Sequence, residues 1–295
     1  MKKLKIDLKI GFGSLDIGAR DPIAGTYLGR YKSVFKGRGL EFDSYRQYGP
    51  DDDAALIDWK ASARSDKLLV KEFTEERNMT VFFLIDVSNT MILGSQPKLK
   101  CEYAAELAAS LGYHILNSGD NLGYALFNEK IVSFRPPERS LSTHAELIDT
   151  LSDAQNYGGN YDLKPVIDFL LELLPEKSLV IIISDFIGLI EGWEEAVKHA
   201  SSKFSLIGIM IRDPIDRSIP AGLGQLAIAD PLGNSTLIID PNTIKPFYDE
   251  EARREEEHIK SVFLENGSDF TVLQTDKEFI GSVIELFESR GEKWR

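Results

Sequence analysis

T-V-F-F-L-I-D at residues 80–86 places five consecutive apolar side chains, Val81–Ile85, directly before an acid. L-V-I-I-I-S-D at residues 179–185 repeats this pattern. Apolar runs of this length are typical of strands that are buried on both faces, as in a parallel sheet. The sequence therefore predicts two central strands, each followed by a carboxylate: Asp86 after the first and Asp185 after the second.

Amphipathic helices alternate with strands from Met79 onward. Leu99, Tyr103, Leu107 and Leu111 recur every four residues and so share one helix face. Further strands are predicted at 122–127, 130–134, 205–211, 236–239 and 270–273, and further helices at 143–151, 163–174, 193–201, 242–266 and 279–287. This alternation predicts an α/β domain over residues 79–295, with a mostly parallel sheet and helices on both of its faces.

Residues 1–78 have a different pattern. Apolar and polar residues alternate at 4–10 and at 68–73, and no long apolar stripe is present. Such alternation is typical of half-buried strands. The sequence therefore predicts a small β-rich N-terminal element that precedes the α/β domain.

Composition limits the class of protein and its location. A chain of 295 residues can bury a core without covalent cross-links. Its single cysteine, Cys101, cannot form an internal disulfide, which fits a reducing compartment. No apolar run approaches the roughly 20 residues of a membrane helix, and the N-terminus lacks the apolar stretch of a signal peptide. We therefore expect a soluble, cytoplasmic protein.

The acidic charge is concentrated in the second part of the chain. Residues 1–78 carry 15 Lys and Arg against 13 Asp and Glu, whereas residues 79–295 carry 19 against 34. Phosphate contacts need basic surface, so this balance argues against nucleic acid as a partner. It favours attraction to cations or to basic protein surfaces, although solubility alone also explains it.

The predicted strand ends bring oxygen-bearing side chains to one edge of the sheet, where doubly wound sheets bind ligands. The turn D-V-S-N-T supplies Asp86, Ser88 and Thr90, the second strand supplies Asp185, and the loop G-G-N-Y-D-L between them supplies Asn160. Carboxylate and hydroxyl oxygens are the ligands of a hard cation such as Mg²⁺. The alternative is that the hydroxyls only form turns and cap a helix.

This pattern resembles the von Willebrand factor A-like domains. Their metal-ion-dependent adhesion site uses D-x-S-x-S, a threonine in a mid-chain loop and a later strand-end aspartate. Asp86, Ser88, Thr90 and Asp185 match that pattern, while Asn160 stands where the threonine is expected. The resemblance implies a site for Mg²⁺, Mn²⁺ or Ca²⁺ with one position open for an Asp or Glu of a partner protein.

A second resemblance lies in the segment that precedes the first strand. G-R-G-L-E-F-D-S-Y-R-Q-Y-G-P-D-D-D-A-A-L-I-D-W-K-A-S-A-R at 37–64 and K-E-F-T-E-E-R at 71–77 are similar to the signature of domain-of-unknown-function family fifty-eight. The resemblance extends over about residues 34–215. Members are often encoded beside MoxR-type AAA+ ATPases, which implies partnership with such an ATPase.

The charges of this signature are nearly balanced. A near-equal number of positive and negative side chains predicts a seam of salt bridges within the protein. Trp59, Tyr45 and Tyr48 would anchor this seam. The alternative is a partner-binding face, and its members would be Arg38, Trp59, Lys60 and Arg64.

Two functions follow from the candidate cation site. The favoured one is a non-enzymatic protein–protein interaction module, acting as an adaptor or co-chaperone of a MoxR-type ATPase. The alternative is a metal-dependent phosphohydrolase with Asp86 as nucleophile. Ser88 stands where such an enzyme has its second acid, and a serine cannot do acid–base work near neutral pH. Phosphate-binding G-x-x-x-x-G-K-[S/T] and hydrolase G-x-S-x-G motifs are also absent from the sequence, so no catalytic residue is predicted.

Overall fold

The computed structural model describes residues 41–49, 53, 57–65, 67–74, 79–220, 222, 224–229 and 236–293. The chain divides into two compact units: residues 35–79 form one, and the residues from Thr80 onward belong to the other. The predicted strand at 4–10 and the predicted partner-binding residue Arg38 lie outside the described residues.

The smaller unit contains an antiparallel strand pair, as predicted for a β-rich element. Strand β1 (Glu41–Gln47) pairs with β2 (Leu69–Thr74), and helix α1 (Trp59–Ser65) connects them in sequence. Asp58 begins α1, because its Oδ1 accepts hydrogen bonds from the backbone N–H groups of Lys60 and Ala61, both at 3.0 Å. This helix was not predicted from the sequence.

The larger unit is built on a six-stranded sheet. Its strands are β3 (Thr80–Asp86), β4 (Asn121–Phe127), β5 (Ile131–Glu138), β6 (Leu179–Ser184), β7 (Ser205–Arg212) and β10 (Asp269–Gln274). They lie in the order β10-β7-β6-β3-β4-β5, and all neighbours are parallel except β4 and β5. A separate antiparallel pair is formed by β8 (Leu226–Ala229) and β9 (Thr236–Ile239).

The strand order is that of a doubly wound sheet. From β3 the chain moves outward to β4 and β5, then returns to β6 on the other side of β3. The strand order therefore reverses between β3 and β6, the two strands with the longest apolar runs. The predicted α/β fold class with a mostly parallel sheet is confirmed.

Helices cover both faces of this sheet. They are α2 (Lys100–Ser118), α3 (Leu141–Ser152), α4 (Lys164–Leu173), α5 (Trp193–Lys203), the short α6 (Pro214–Arg217), α7 (Pro241–Glu265) and α8 (Ile280–Lys293). Buried side chains of α4, α5 and α7 pack with Phe82 and Phe127 on one face. On the other face, the Tyr124 hydroxyl lies 3.2 Å from Thr150 Oγ1 of α3, and Tyr103 of α2 packs edge-on against Phe279.

Three phenylalanines pack together between α7 and the sheet. The ring centroid of Phe263 lies 5.7 Å from that of Phe186 and 5.1 Å from that of Phe270. Gly208 of β7 leaves room for them, because a Cβ there would lie 2.6 Å from Phe270 Cδ2. The glycine thus permits aromatic packing directly on the strand.

The chain's single thiol is part of the core. Cys101, in the first turn of α2, is 1% exposed. Burial raises the pKa of this thiol to about 12, so it is not the thiolate near neutral pH.

Two buried histidines make the stability of this unit sensitive to mild acid. Burial lowers the pKa of His114 and of His144, whose Nε2 lies 2.7 Å from the Ala109 carbonyl oxygen. In the unfolded chain a histidine titrates near 6.5. The unfolded state therefore binds more protons below this pH, and the stability present above it is lost as the pH falls.

We expect the free energy of unfolding to decrease between pH 7.5 and pH 5.5, as measured by urea titration. His144→Gln should make this decrease smaller, because it removes one proton that only the unfolded chain binds. Exposed His199 on α5 provides the control, since His199→Gln should leave the decrease unchanged. An equal decrease in wild type and His144→Gln would contradict the prediction.

Candidate functional site

Four of the predicted ligand residues meet at the carboxyl edge of the sheet. Asp86 ends β3 and Asp185 follows β6, so parallel pairing places them at the point where the strand order reverses. Ser88 and Thr90 lie in the turn after β3, with their hydroxyl oxygens 2.9 Å apart. Thr90 Oγ1 donates to Asp185 Oδ1 at 3.1 Å, so hydrogen bonds connect the two strand ends.

Asp86 is held by short hydrogen bonds within this cluster. Its Oδ1 accepts from the Ser88 backbone N–H at 2.8 Å, and its Oδ2 accepts from Ser184 Oγ at 2.7 Å. Burial, followed by the nearby charge of Asp185, raises the pKa of Asp86 to about 7, although these hydrogen bonds act in the opposite direction. Burial and the neighbouring acid thus act against the charged form of Asp86, while its hydrogen bonds stabilise it.

Asn160 lies in a different environment. Its side chain is exposed, and its backbone N–H donates to Glu129 Oε2 at 2.8 Å. None of the hydrogen bonds that join the four clustered residues involves the Asn160 side chain. Its predicted role as a ligand stays a prediction.

The structure adds Lys100, which the sequence analysis did not select. Its side chain is 1% exposed, and Nζ donates to Asp185 Oδ2 at 2.7 Å and to Asp216 Oδ2 at 3.0 Å. Burial acts to lower the pKa of Lys100, but the attraction of both carboxylates raises it above its usual value. The sequence does indicate that Lys100 lies on a closely packed helix face. Ala104 and Ala108 follow it at intervals of four residues, so the three share one face with small side chains.

Asp213 organises the loops around this edge. The buried carboxylate accepts hydrogen bonds from the Ser95 backbone N–H at 2.9 Å, the Ile215 backbone N–H at 3.0 Å and Thr275 Oγ1 at 3.3 Å. Burial acts to raise the pKa of Asp213, but the hydrogen bonds outweigh it and hold this pKa below its usual range. One carboxylate thus ties together the segments after β3, β7 and β10.

Exposed apolar side chains stand in the segments that follow the central strands. Leu93 is 47% exposed after β3, Ile190 is 50% exposed after β6, and Ile215 is 39% exposed after β7. Such residues on loops at a ligand-binding edge are typical of a surface that contacts another molecule.

The clustered residues fit a divalent cation in donor type and in charge. Two carboxylates and two hydroxyls offer the oxygen ligands that Mg²⁺ prefers. With Asp86, Asp185 and Asp216 ionised, Lys100 neutralises one of three negative charges. The described residues contain no group of three or more His, Cys, Asp or Glu side chains arranged to hold a metal, so a cation here would depend on Ser88 and Thr90.

Three of the four predicted partner-binding residues lie on α1. Trp59 is 68% exposed, and Lys60 and Arg64 are also exposed. The internal seam, with Trp59, Tyr45 and Tyr48 as its anchors, stays a prediction. Tyr45 is 43% exposed, and its hydroxyl donates to Asp58 Oδ2 at 3.1 Å. The partner-binding role of these residues stays a prediction.

The doubly wound sheet brings Asp86, Ser88, Thr90 and Asp185 together at one edge. The family model described as "Protein of unknown function DUF58" matches residues 44–258. The chain belongs to this family. An uncharacterized protein of Mycobacterium tuberculosis is 24% identical over 284 residues, which is 94% of this chain and 88% of that relative.

Solved structures are similar to this chain at low sequence identity. An aerotolerance-related membrane protein from Bacteroides fragilis is 14% identical, with a TM-score of 0.50, over 73% of this chain and 100% of that one. A von Willebrand factor type A protein from Catenulispora acidiphila is 11% identical, with a TM-score of 0.38, over 76% of this chain and 43% of that one. Within the described part of this chain, no helix is long and apolar enough to cross a membrane.

Proposed function

We propose that this chain is a non-enzymatic protein-interaction module whose adhesion site is held by Asp86, Ser88, Thr90 and Asp185. The observation that supports this most directly is the hydrogen-bonded meeting of these four side chains at the reversal of the strand order. A divalent cation bound there would supply an electrophilic centre for a carboxylate of the partner. The exposed apolar residues of the surrounding loops would add contact area.

The proposed partner is a MoxR-type AAA+ ATPase, for which this protein would serve as adaptor or co-chaperone. Support comes from the resemblance of the 37–77 segment to proteins encoded beside such ATPases. The exposed side chains of Trp59, Lys60 and Arg64 offer a second surface for the same assembly. Neither role requires a bond to be made or broken by this chain.

The proposal predicts that metal and partner binding both depend on Ser88. Wild-type protein should gain thermal stability in millimolar Mg²⁺ or Mn²⁺, because a ligand that binds only the native state stabilises it. Ser88→Ala should weaken Mn²⁺ binding at least about tenfold, judged from the loss of one ligand-shell group, and should weaken capture of a purified MoxR-type ATPase. Exposed Ser142 supplies the control variant Ser142→Ala.

The results of these measurements distinguish the role of the cation from the choice of partner. Capture that survives both a chelator and Ser88→Ala would contradict the role of the cation. Metal binding without capture of the ATPase would contradict the choice of partner and leave the adhesion site intact.

The alternative hypothesis of a phosphohydrolase can be tested separately. Both carboxylate oxygens of Asp86 accept hydrogen bonds, which lowers the reactivity of this group as a nucleophile. Release of phosphate from p-nitrophenyl phosphate in Mg²⁺, abolished by Asp86→Asn, would favour the enzyme over the interaction module.

A further inference from the structure

Lys100 is a buried cation at the site proposed to bind a cation. Its ammonium group is enclosed by protein and lies between two carboxylates that come from different parts of the chain: Asp185 follows β6, and Asp216 lies in α6 after β7. Lysine is almost never fully buried unless it is paired. Here the partner on one side is also a proposed metal ligand.

Asp185 already uses both carboxylate oxygens. Oδ1 accepts from Thr90 Oγ1 at 3.1 Å and from the Ile187 backbone N–H at 2.9 Å, while Oδ2 accepts from Lys100 Nζ at 2.7 Å. A divalent cation on the same carboxylate would face the ammonium at close range, with little water to screen the repulsion. Both cations therefore cannot be held tightly by Asp185 at once.

Asp216 provides a second position for the ammonium. Its Oδ2 lies 3.0 Å from Lys100 Nζ and also accepts the Asp213 backbone N–H at 2.9 Å. Because Lys100 already pairs with both carboxylates, a small displacement away from Asp185 would leave the ion pair with Asp216 in place.

We propose that Lys100 is a tethered competitor of the divalent cation at Asp185, and that metal binding leaves its ammonium group paired with Asp216 alone. This inference rests on the proposed function, because it assumes that Asp86, Ser88, Thr90 and Asp185 bind a cation. The ammonium holds Asp185 in place when metal is absent and sets the metal concentration at which the site loads.

The loss of the ion pair between Lys100 and Asp185 would affect the surface formed by α6 and α7. Asp216 is followed by Arg217, whose Nε donates to Glu256 Oε2 of α7 at 2.8 Å. The hydroxyl group of Tyr248 in α7 donates a hydrogen bond to the Ile215 carbonyl oxygen at 3.0 Å. A change in the partner of Lys100 therefore acts on the segment that carries the exposed Ile215 side chain.

The test is the Mn²⁺ affinity of folded full-length protein, measured by electron paramagnetic resonance of free Mn²⁺. Lys100→Met removes the ammonium while it keeps most of the side-chain volume, and we expect it to bind Mn²⁺ at least tenfold more tightly than wild type. Lys98→Met is the matched control: Lys98 pairs with Glu106 nearby on the chain, so its affinity should equal that of wild type.

A second variant keeps the proposal testable if Lys100→Met does not fold. Asp216→Asn removes the alternative partner, so Lys100 should remain on Asp185 and the Mn²⁺ affinity should fall at least threefold. Equal or weaker binding by folded Lys100→Met would overturn the competition, as would unchanged or tighter binding by Asp216→Asn. Absence of Mn²⁺ binding in wild type and in both variants would overturn the proposed cation site as well, so the two failures are distinguishable.

Discussion

Replacing Phe263 with alanine is expected to lower the free energy of unfolding by about 3–5 kcal/mol. Phe263 is fully buried, and its ring contacts those of Phe186 and Phe270 between α7 and the sheet. Truncation removes apolar area from the core and leaves a cavity that the strands on one side cannot close. Urea unfolding followed by circular dichroism measures the loss as a lower midpoint with an unchanged slope.

The same helix supplies the control. Phe247 lies in the first half of α7 and is 76% exposed, so Phe247→Ala should change the free energy of unfolding by less than about 0.5 kcal/mol. A similar loss in both variants would show that helix propensity, and not core packing, controls the stability of α7.

Replacing Asp213 with alanine is expected to cost about 3 kcal/mol of unfolding free energy, since one hydrogen bond to a charged group contributes about 1.5–3 kcal/mol. The carboxylate accepts from the backbone N–H groups of Ser95 and Ile215 and from the Thr275 hydroxyl. These donors lie in three segments at the edge where Asp86 and Asp185 meet. Hydrogen exchange should therefore increase in all three segments.

Two further variants make this prediction specific. Asp213→Asn retains one acceptor oxygen and should lose clearly less stability than Asp213→Ala. Asp168 is an exposed acid on α4, and Asp168→Ala should be nearly neutral. Increased exchange restricted to the segment that contains residue 213 would contradict the role of this carboxylate in joining the loops.

The central strands were predictable because their signal is local. β6 occupies Leu179–Ser184, as the apolar run predicted, and β3 extends one residue beyond its predicted end. Elements whose signal depends on tertiary contacts were not predicted. β8 is four residues long and is defined by its pairing with β9, while α1 is a short polar helix that depends on the Asp58 cap.

The meeting of Asp86 and Asp185 was also predictable, because parallel neighbouring strands bring their carboxyl ends together. Lys100 was not, since Ala104 and Ala108 indicate only that its helix face packs closely, and not that its side chain pairs with two acids. Asp213 carried a similar signal: it follows the apolar residues 209–211 of β7 after a single intervening residue, Arg212. Its role nevertheless depends on donors from distant segments, which only the folded chain brings into reach.

Because Cys101 is buried, its reaction with a thiol reagent would report transient opening of the wild-type protein. The thiol is shielded from solvent and its raised pKa keeps it from being the reactive thiolate. A thiol-specific dye can therefore react only in molecules whose first α2 turn has left the sheet. Because Cys101 is adjacent to Lys100, the labelling rate would measure how often the candidate site opens, with no engineered probe and no background from a second cysteine.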